Sequence, residues 1–148
     1  MRLSTKGQYG ARAMLELALY YEEGPLLLRN IAKNQGLSER YLERIMTVLI
    51  SAGLVRSLRG KCGGFILAKP LDEINLGQIV QATEGSISPV ACLDDPKSCR
   101  RVKFCVTYDI WGRLKDEMKK VLDSITLADM VKMQKKKTKE LEKEMYYI

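Results

Sequence analysis

The sequence predicts a mainly α fold with a single short β-hairpin, and three patterns carry that prediction. Apolar residues recur at helical spacing over residues 5–21 and again over residues 38–52. Between residues 54 and 68, two short apolar runs flank a glycine-rich turn. From Trp111 to Ile125 the apolar positions alternate in steps of three and four, which is a heptad seam on one long helix.

In the first helix Ala11, Met14, Leu15 and Ala18 stand at i, i+3, i+4 and i+7, and Gly24-Pro25 ends the run. A short helix from Leu28 to Asn34 turns Ile31 and Ala32 inward. Gly36 then breaks the chain, and Ser38 is placed to cap a third helix that runs to about Ala52. That helix has two stripes. Leu42, Ile45, Met46 and Leu49 form an apolar face, and Arg40, Glu43, Arg44 and Thr47 form a polar one at the same spacing. Two helices joined by a short glycine-containing turn, the second polar on its outer side, describe a helix-turn-helix.

A solvated helix shows the same polar face, so the pattern takes its meaning from the adjoining hairpin. Leu54 to Leu58 reads as a strand, Arg59-Gly60-Lys61-Cys62-Gly63-Gly64 as a turn, and Phe65 to Ala68 as the return strand. With Arg59 and Lys61 at its tip, this hairpin reads as a wing. The fold class is therefore a winged helix-turn-helix with a two-stranded β wing. In that arrangement the third helix enters the major groove of double-stranded DNA, and the wing tip reaches phosphates or the minor groove. Arginines can pair bidentately with guanine, while Glu43 accepts from a cytosine amine or repels disfavoured sequences.

Charge agrees with this division. Residues 1–70 carry 11 Lys/Arg against 5 Asp/Glu, and residues 71–148 carry 14 against 13, so nearly all of the +7 lies in the first half. Such asymmetry is the electrostatic footprint of a polyanion partner, although solubility alone gives the same excess.

Asn75 with Gln78 three residues on signals a capped helix through Thr83. An irregular stretch comes next that contains Cys92, Cys99 and Cys105, longer than a compact domain usually tolerates without a function. A long helix then begins near Val106. Its seam of Trp111, Leu114, Met118, Val121 and Ile125 packs on its own domain or pairs with a second copy. The dimer is preferred because two-fold symmetry also sets two recognition helices on successive half-sites. Thr126 to Asp129 caps a further helix, which becomes lysine-rich from Lys135 and frays toward the C-terminus. The expected organisation is a DNA-binding domain over 1–84, a cysteine loop over 85–105, and a dimerisation helix with its extension over 106–148.

No apolar run reaches the roughly 20 residues of a membrane span, and the first residues lack a signal-peptide core, so the expectation is a cytoplasmic protein without a membrane partner. In a reducing compartment four cysteines favour metal binding or redox sensing over structural disulfides. Three thiolates on one loop can hold a soft metal centre, and iron–sulfur clusters are held mainly by cysteine. Six and five residues separate the three cysteines, unlike the close pairs of structural zinc sites, while a thiol switch fits the spacing equally well. An enzyme reading is poor: the chain has no histidine for acid–base work and no glycine loop of the phosphate-cradling kind, so no small-molecule substrate is expected.

The chain resembles the IscR-type winged-helix repressors, iron–sulfur regulators whose relatives include NsrR and CymR. The resemblance lies in the opening from Met1 to Gly10, in Tyr41-Leu42-Glu43, in the wing from Arg59 to Phe65, and in the segment from Cys105 to Trp111. It implies a homodimeric transcription regulator with an iron–sulfur cluster, 2Fe–2S ahead of 4Fe–4S, on Cys92, Cys99 and Cys105. It further implies control of cluster-biogenesis genes and DNA contacts from Ser38, Arg40, Tyr41, Glu43, Arg44 and Arg59. Two positions depart from the pattern. Tyr108 stands where IscR-type proteins have a fourth-ligand histidine, and Gln8 stands where some NsrR-type proteins supply a carboxylate. The fourth ligand stays open among Asp109, Tyr108, Glu84, Cys62, and a small molecule or water. The alternative is a winged-helix repressor without a cluster that senses by thiol chemistry or binds zinc.

Overall fold

A computed structural model describes residues 1–147. It has six α-helices and one hairpin: α1 (Thr5–Leu19), α2 (Leu28–Gln35), α3 (Glu39–Ser51), β1 (Val55–Leu58), β2 (Gly64–Leu67), α4 (Leu76–Glu84), α5 (Val106–Ser124) and α6 (Leu127–Tyr146). The fold class is the one read from the sequence, a mainly α winged helix-turn-helix.

Local chemistry sets most boundaries. Ser4 caps α1 by accepting from the Gly7 amide at 3.2 Å, and Ser38 caps α3 by accepting from the Tyr41 amide at 3.2 Å. Asn75 and Gln78 form a reciprocal capping box on α4, and Thr126 and Asp129 do the same on α6. α2 stops where Gly36 takes a left-handed conformation with φ of 65°, and the chain turns from there into α3. β1 and β2 pair antiparallel from Val55↔Leu67 to Leu58↔Gly64. Leu26 adds a third, one-residue rung by exchanging backbone hydrogen bonds with Phe65 at 3.0 and 2.8 Å, which ties the base of the wing to the segment before α2.

The core lies between α1, α3, α4 and the start of α6. Met14, Ile31, Leu42, Ile45, Leu49, Ile74, Ile79 and Leu127 are fully buried there. Full burial of each aliphatic side chain contributes about 1.5–3 kcal/mol of transfer free energy. The buried face of α1 is Gly7, Gly10, Ala13, Met14, Leu17 and Ala18, whereas Ala11 and Leu15 are only half-buried. Periodicity places Ala11 and Leu15 inward, because it counts apolar side chains and passes over the glycines. Gly10 is what lets α4 approach: a Cβ there would meet Thr83 Cγ2 at 2.7 Å.

α5 differs from the other helices, since none of its residues is fully buried. Trp111, Leu114 and Met118 are half-buried, while Val121 is exposed. α6 is continuous to Tyr146, longer and more regular than the frayed end that fading apolar content suggests. No described helix is long and apolar enough to cross a membrane.

Candidate nucleic-acid interface and cysteine loop

The outer face of α3 presents Ser38, Arg40, Glu43, Arg44 and Thr47 to solvent, and four buried residues on its other side, Leu42, Ile45, Met46 and Leu49, fix its rotation. Because the hydrophobic stripe determines which side chains point outward, the polar stripe is presented as a rigid unit. Among the described residues no carboxylate pairs with Arg40 or Arg44, so both guanidinium groups have their donors free. Tyr41 is half-buried and meets the Tyr9 ring edge-on, with centroids 6.0 Å apart, and the Arg12 guanidinium lies 5.0 Å from the Tyr9 centroid. Arg59 and Lys61 are exposed at the wing tip, where Gly60 takes a φ of 102° that the turn requires.

A polar network that the sequence does not announce braces the helix-turn-helix. Glu16 is only 6% exposed, yet it lies on α1 and accepts from Asn34 Nδ2 at 2.6 Å and Gln35 Nε2 at 2.8 Å. Arg12 donates to the Gln35 side chain and to its backbone carbonyl, both at 2.8 Å. A buried carboxylate is tolerable when its oxygens are hydrogen-bonded, and here the two bonds clamp the end of α2 just before the turn into α3. The only signal in the sequence is one acidic residue on an otherwise apolar helix face.

The segment over 85–105 is ordered by three single 3₁₀ turns at Ala91–Leu93, Pro96–Ser98 and Val102–Phe104. Asp94 is its hub: the carboxylate accepts from the Ser86 and Ser88 hydroxyls and pairs with Lys115 of α5 at 3.2 Å. Ser86, Ser88 and Lys115 hold its pKa down to about 2. At the loop's entrance Glu84 accepts from both the backbone and the hydroxyl of Ser4, so the end of α4 and the start of α1 are joined. Both bonds fall on Oε1 of that carboxylate.

All four cysteines are free thiols; Cys62 is exposed, and Cys92, Cys99 and Cys105 are half-buried. The described residues contain no group of three metal-ligating side chains close enough to hold one ion, so the structure does not bring the trio together. Three free thiols on one loop suit an iron–sulfur cluster in donor type and number, but their placement here does not gather them into a ligand set. Cys105 sits at the N-terminus of α5 with Sγ 3.2 Å from the Thr107 hydroxyl. That hydroxyl, then the Tyr108 amide and the charge of Arg101, lower its pKa below the ordinary thiol value. Tyr108 is half-buried and Asp109 exposed in the next turn.

Comparison with known proteins extends the picture. Residues 3–133 match the family model of Rrf2, described as an iron-dependent transcriptional regulator. The chain is 45% identical over 130 residues to the HTH-type transcriptional regulator CymR of Bacillus subtilis, covering 88% of this chain and 89% of that protein. The solved structure of that regulator, named there as the global cysteine regulator, aligns with a TM-score of 0.75 at 43% identity and covers 90% of this chain and 98% of that one. Identity to the HTH-type transcriptional regulator IscR of Pectobacterium atrosepticum is 39% over 131 residues, covering 88% of this chain and 79% of that protein. The T. potens IscR structure aligns with a TM-score of 0.75 at 45% identity, covering 90% and 88% of the two chains.

Proposed function

Because this chain belongs to the Rrf2 family of transcriptional regulators, we propose that it binds double-stranded DNA as a homodimer and senses through its cysteine loop. Its relatives are named regulators, and it is not an enzyme. The observation that carries the proposal is a single run of contacts. The recognition helix packs on α1, α1 is capped through Ser4 by Glu84 at the loop's entrance, and the loop is braced on α5 through Asp94. In this reading Ser38, Arg40, Tyr41, Glu43 and Arg44 meet the major groove, and Arg59 meets the backbone or minor groove. The apolar side of α5, where Val106, Ile110 and Val121 are exposed beside the half-buried Trp111, Leu114, Met118 and Ile125 of the heptad seam, pairs with the same helix of a second copy.

The sensing element is an iron–sulfur cluster, with 2Fe–2S preferred. Cys92, Cys99 and Cys105 are the residues that would hold it, with the fourth position left to Tyr108, Asp109, Glu84 or a non-protein ligand. When bound, such a cluster supplies redox-active iron whose presence depends on cellular iron and oxidants. The protein's own part is mechanical. Asp94 and Lys115 hold the loop against α5, and Cys105 is the residue from which that helix starts, so a change in loop order alters the placement of α5. The spacing of the two recognition helices in the dimer changes with it, and so does DNA affinity. Genes for cluster assembly are the expected targets.

A second reading rests on Cys105. Its lowered thiol pKa, together with the ungathered trio, suits sensing by thiol oxidation without metal, in line with the CymR relative's description as a global cysteine regulator.

The deciding experiment is absorption spectroscopy with iron and acid-labile sulfide analysis on anaerobically purified protein, beside a Cys92→Ala, Cys99→Ala, Cys105→Ala variant. Visible bands and sulfide in the wild type alone support the cluster. A colourless protein that resists reconstitution, yet changes DNA affinity on mild oxidation, assigns sensing to the thiols.

A further inference from the structure

The geometry points to a second DNA-contacting element, the lysine stripe of α6 from Lys132 to Lys143, which grips backbone phosphates beside the recognition helix. This inference rests on the DNA-binding reading above and adds to it an element most of which lies beyond the family match, which ends at residue 133.

The lysines of α6 are arranged and not merely numerous. At about 100° per residue, Lys132, Lys135, Lys136, Lys139 and Lys143 fall within an arc of about 100° on one side of the helix. Glu140 and Glu144 lie outside that arc, and Glu142 lies just past its edge. All five lysines are exposed or half-exposed, and among the described residues none of them forms an ion pair. At about 1.5 Å per residue, Lys132 and Lys143 are separated by roughly 16 Å along the axis, enough to track several phosphates of one strand.

Position makes the stripe relevant. The base of α6 is anchored in the core by the fully buried Leu127, and the helix packs along α1, which fixes its direction. Lys135 and Lys139 line one groove together with Arg12 and Gln35. Gln35 is the last residue of α2, immediately before the turn to Ser38 and the recognition helix. Arg12 in turn stacks over Tyr9, and Tyr9 contacts Tyr41 of the recognition helix. A basic path therefore runs from the recognition helix across the Tyr9–Arg12 stack to the α6 lysines. Two carboxylates line the same groove, Glu16, which is buried and faces the Asn34 and Gln35 amides, and Glu142, which is exposed; against them stand Arg12, Lys135 and Lys139, so the groove keeps a positive balance.

Contacts of this kind carry no base information. They add affinity, salt dependence and length of contacted DNA while leaving sequence preference to α3 and the wing. An anionic membrane surface would satisfy the same charges, but the link to the helix-turn-helix favours DNA.

The test uses the full-length protein and duplexes that the wild type recovers from a random-sequence pool. Binding is measured by fluorescence anisotropy across a KCl series, with hydroxyl-radical footprints at low salt. In K135Q/K136Q/K139Q/K143Q the slope of log K against log[salt] is expected to fall by about 0.9 for each phosphate no longer neutralised. The footprint should shorten at its flanks, and the sequences recovered should stay the same. The matching K135R/K136R/K139R/K143R variant should keep the wild-type slope, which separates charge from helix integrity. An unchanged slope and footprint in the glutamine variant, with wild type binding normally, overturns the inference but leaves the DNA-binding reading intact. Loss of sedimentation with phosphatidylglycerol vesicles in that variant, alongside an unchanged DNA slope, also overturns it and reassigns the stripe to membranes. Failure of the wild type to recover any duplex overturns both readings.

Discussion

Glu43 and Arg59 occupy different elements and are expected to fail in different ways. Arg59 stands at the tip of the wing, so Arg59→Ala should weaken binding to every duplex and lower the salt slope by about 0.9. Glu43 faces outward from the middle of α3, so Glu43→Ala should change which sequences are recovered from a random pool, at about 1–3 kcal/mol per discriminated base pair. Cys105 offers a third test at this scale. Its lowered pKa means that thiolate appears at lower pH than in a free cysteine, so alkylation should set in at lower pH. Thr107→Val removes the largest cause and should move the alkylation profile toward higher pH, as mass spectrometry of iodoacetamide-treated protein across a pH series would record. The type and spacing of these residues were legible in the sequence. The Thr107 contact and the clamp of Glu16 on Asn34 and Gln35 were not, because each depends on rotamers or on two helices meeting.

Elements here are joined by small contacts with large leverage. α1 and α4 approach closely through Gly10, so Gly10→Ala should destabilise the protein by about 1–3 kcal/mol through overpacking against Thr83. Adding Thr83→Ser removes the offending methyl and should restore much of the stability, read as a shift in thermal midpoint. The cysteine segment depends on Asp94 in a similar way. Asp94→Asn should weaken its tie to Lys115 and speed tryptic cleavage at Arg100, Arg101 and Lys103 without moving the thermal midpoint of the core. The sequence marked this stretch as irregular and long. Its three 3₁₀ turns and its acidic hub could not be read there, since Asp94 finds Lys115 only after α5 has packed alongside.

For the molecule as a whole the question is assembly. Val106, Ile110 and Val121 are 71%, 49% and 59% exposed on a helix with no fully buried residue, an apolar surface that a second copy would cover. Ile110→Glu with Val121→Glu should halve the mass seen by sedimentation and reduce DNA affinity steeply, because a monomer reads only one half-site. Retention of the dimer in that variant would place the interface elsewhere.

Caps, turn glycines, the two stripes of α3 and the heptad spacing of α5 are local or periodic features, so the sequence by itself determined the helix-turn-helix, the wing and the order of elements. Period also named the buried face of α3, where the outward stripe from Arg40 to Thr47 is polar. On α1 it named Met14 and Ala18 but missed Gly7 and Gly10, since close packing against α4 needs glycines that a hydrophobic count ignores. Tertiary structure alone decided that Glu84 would cap Ser4, that Asp94 would hold the cysteine loop to α5, and that Lys135 and Lys139 would lie beside Gln35. These contacts join residues far apart in the chain, and their partners are set by how helices pack, which no local pattern encodes.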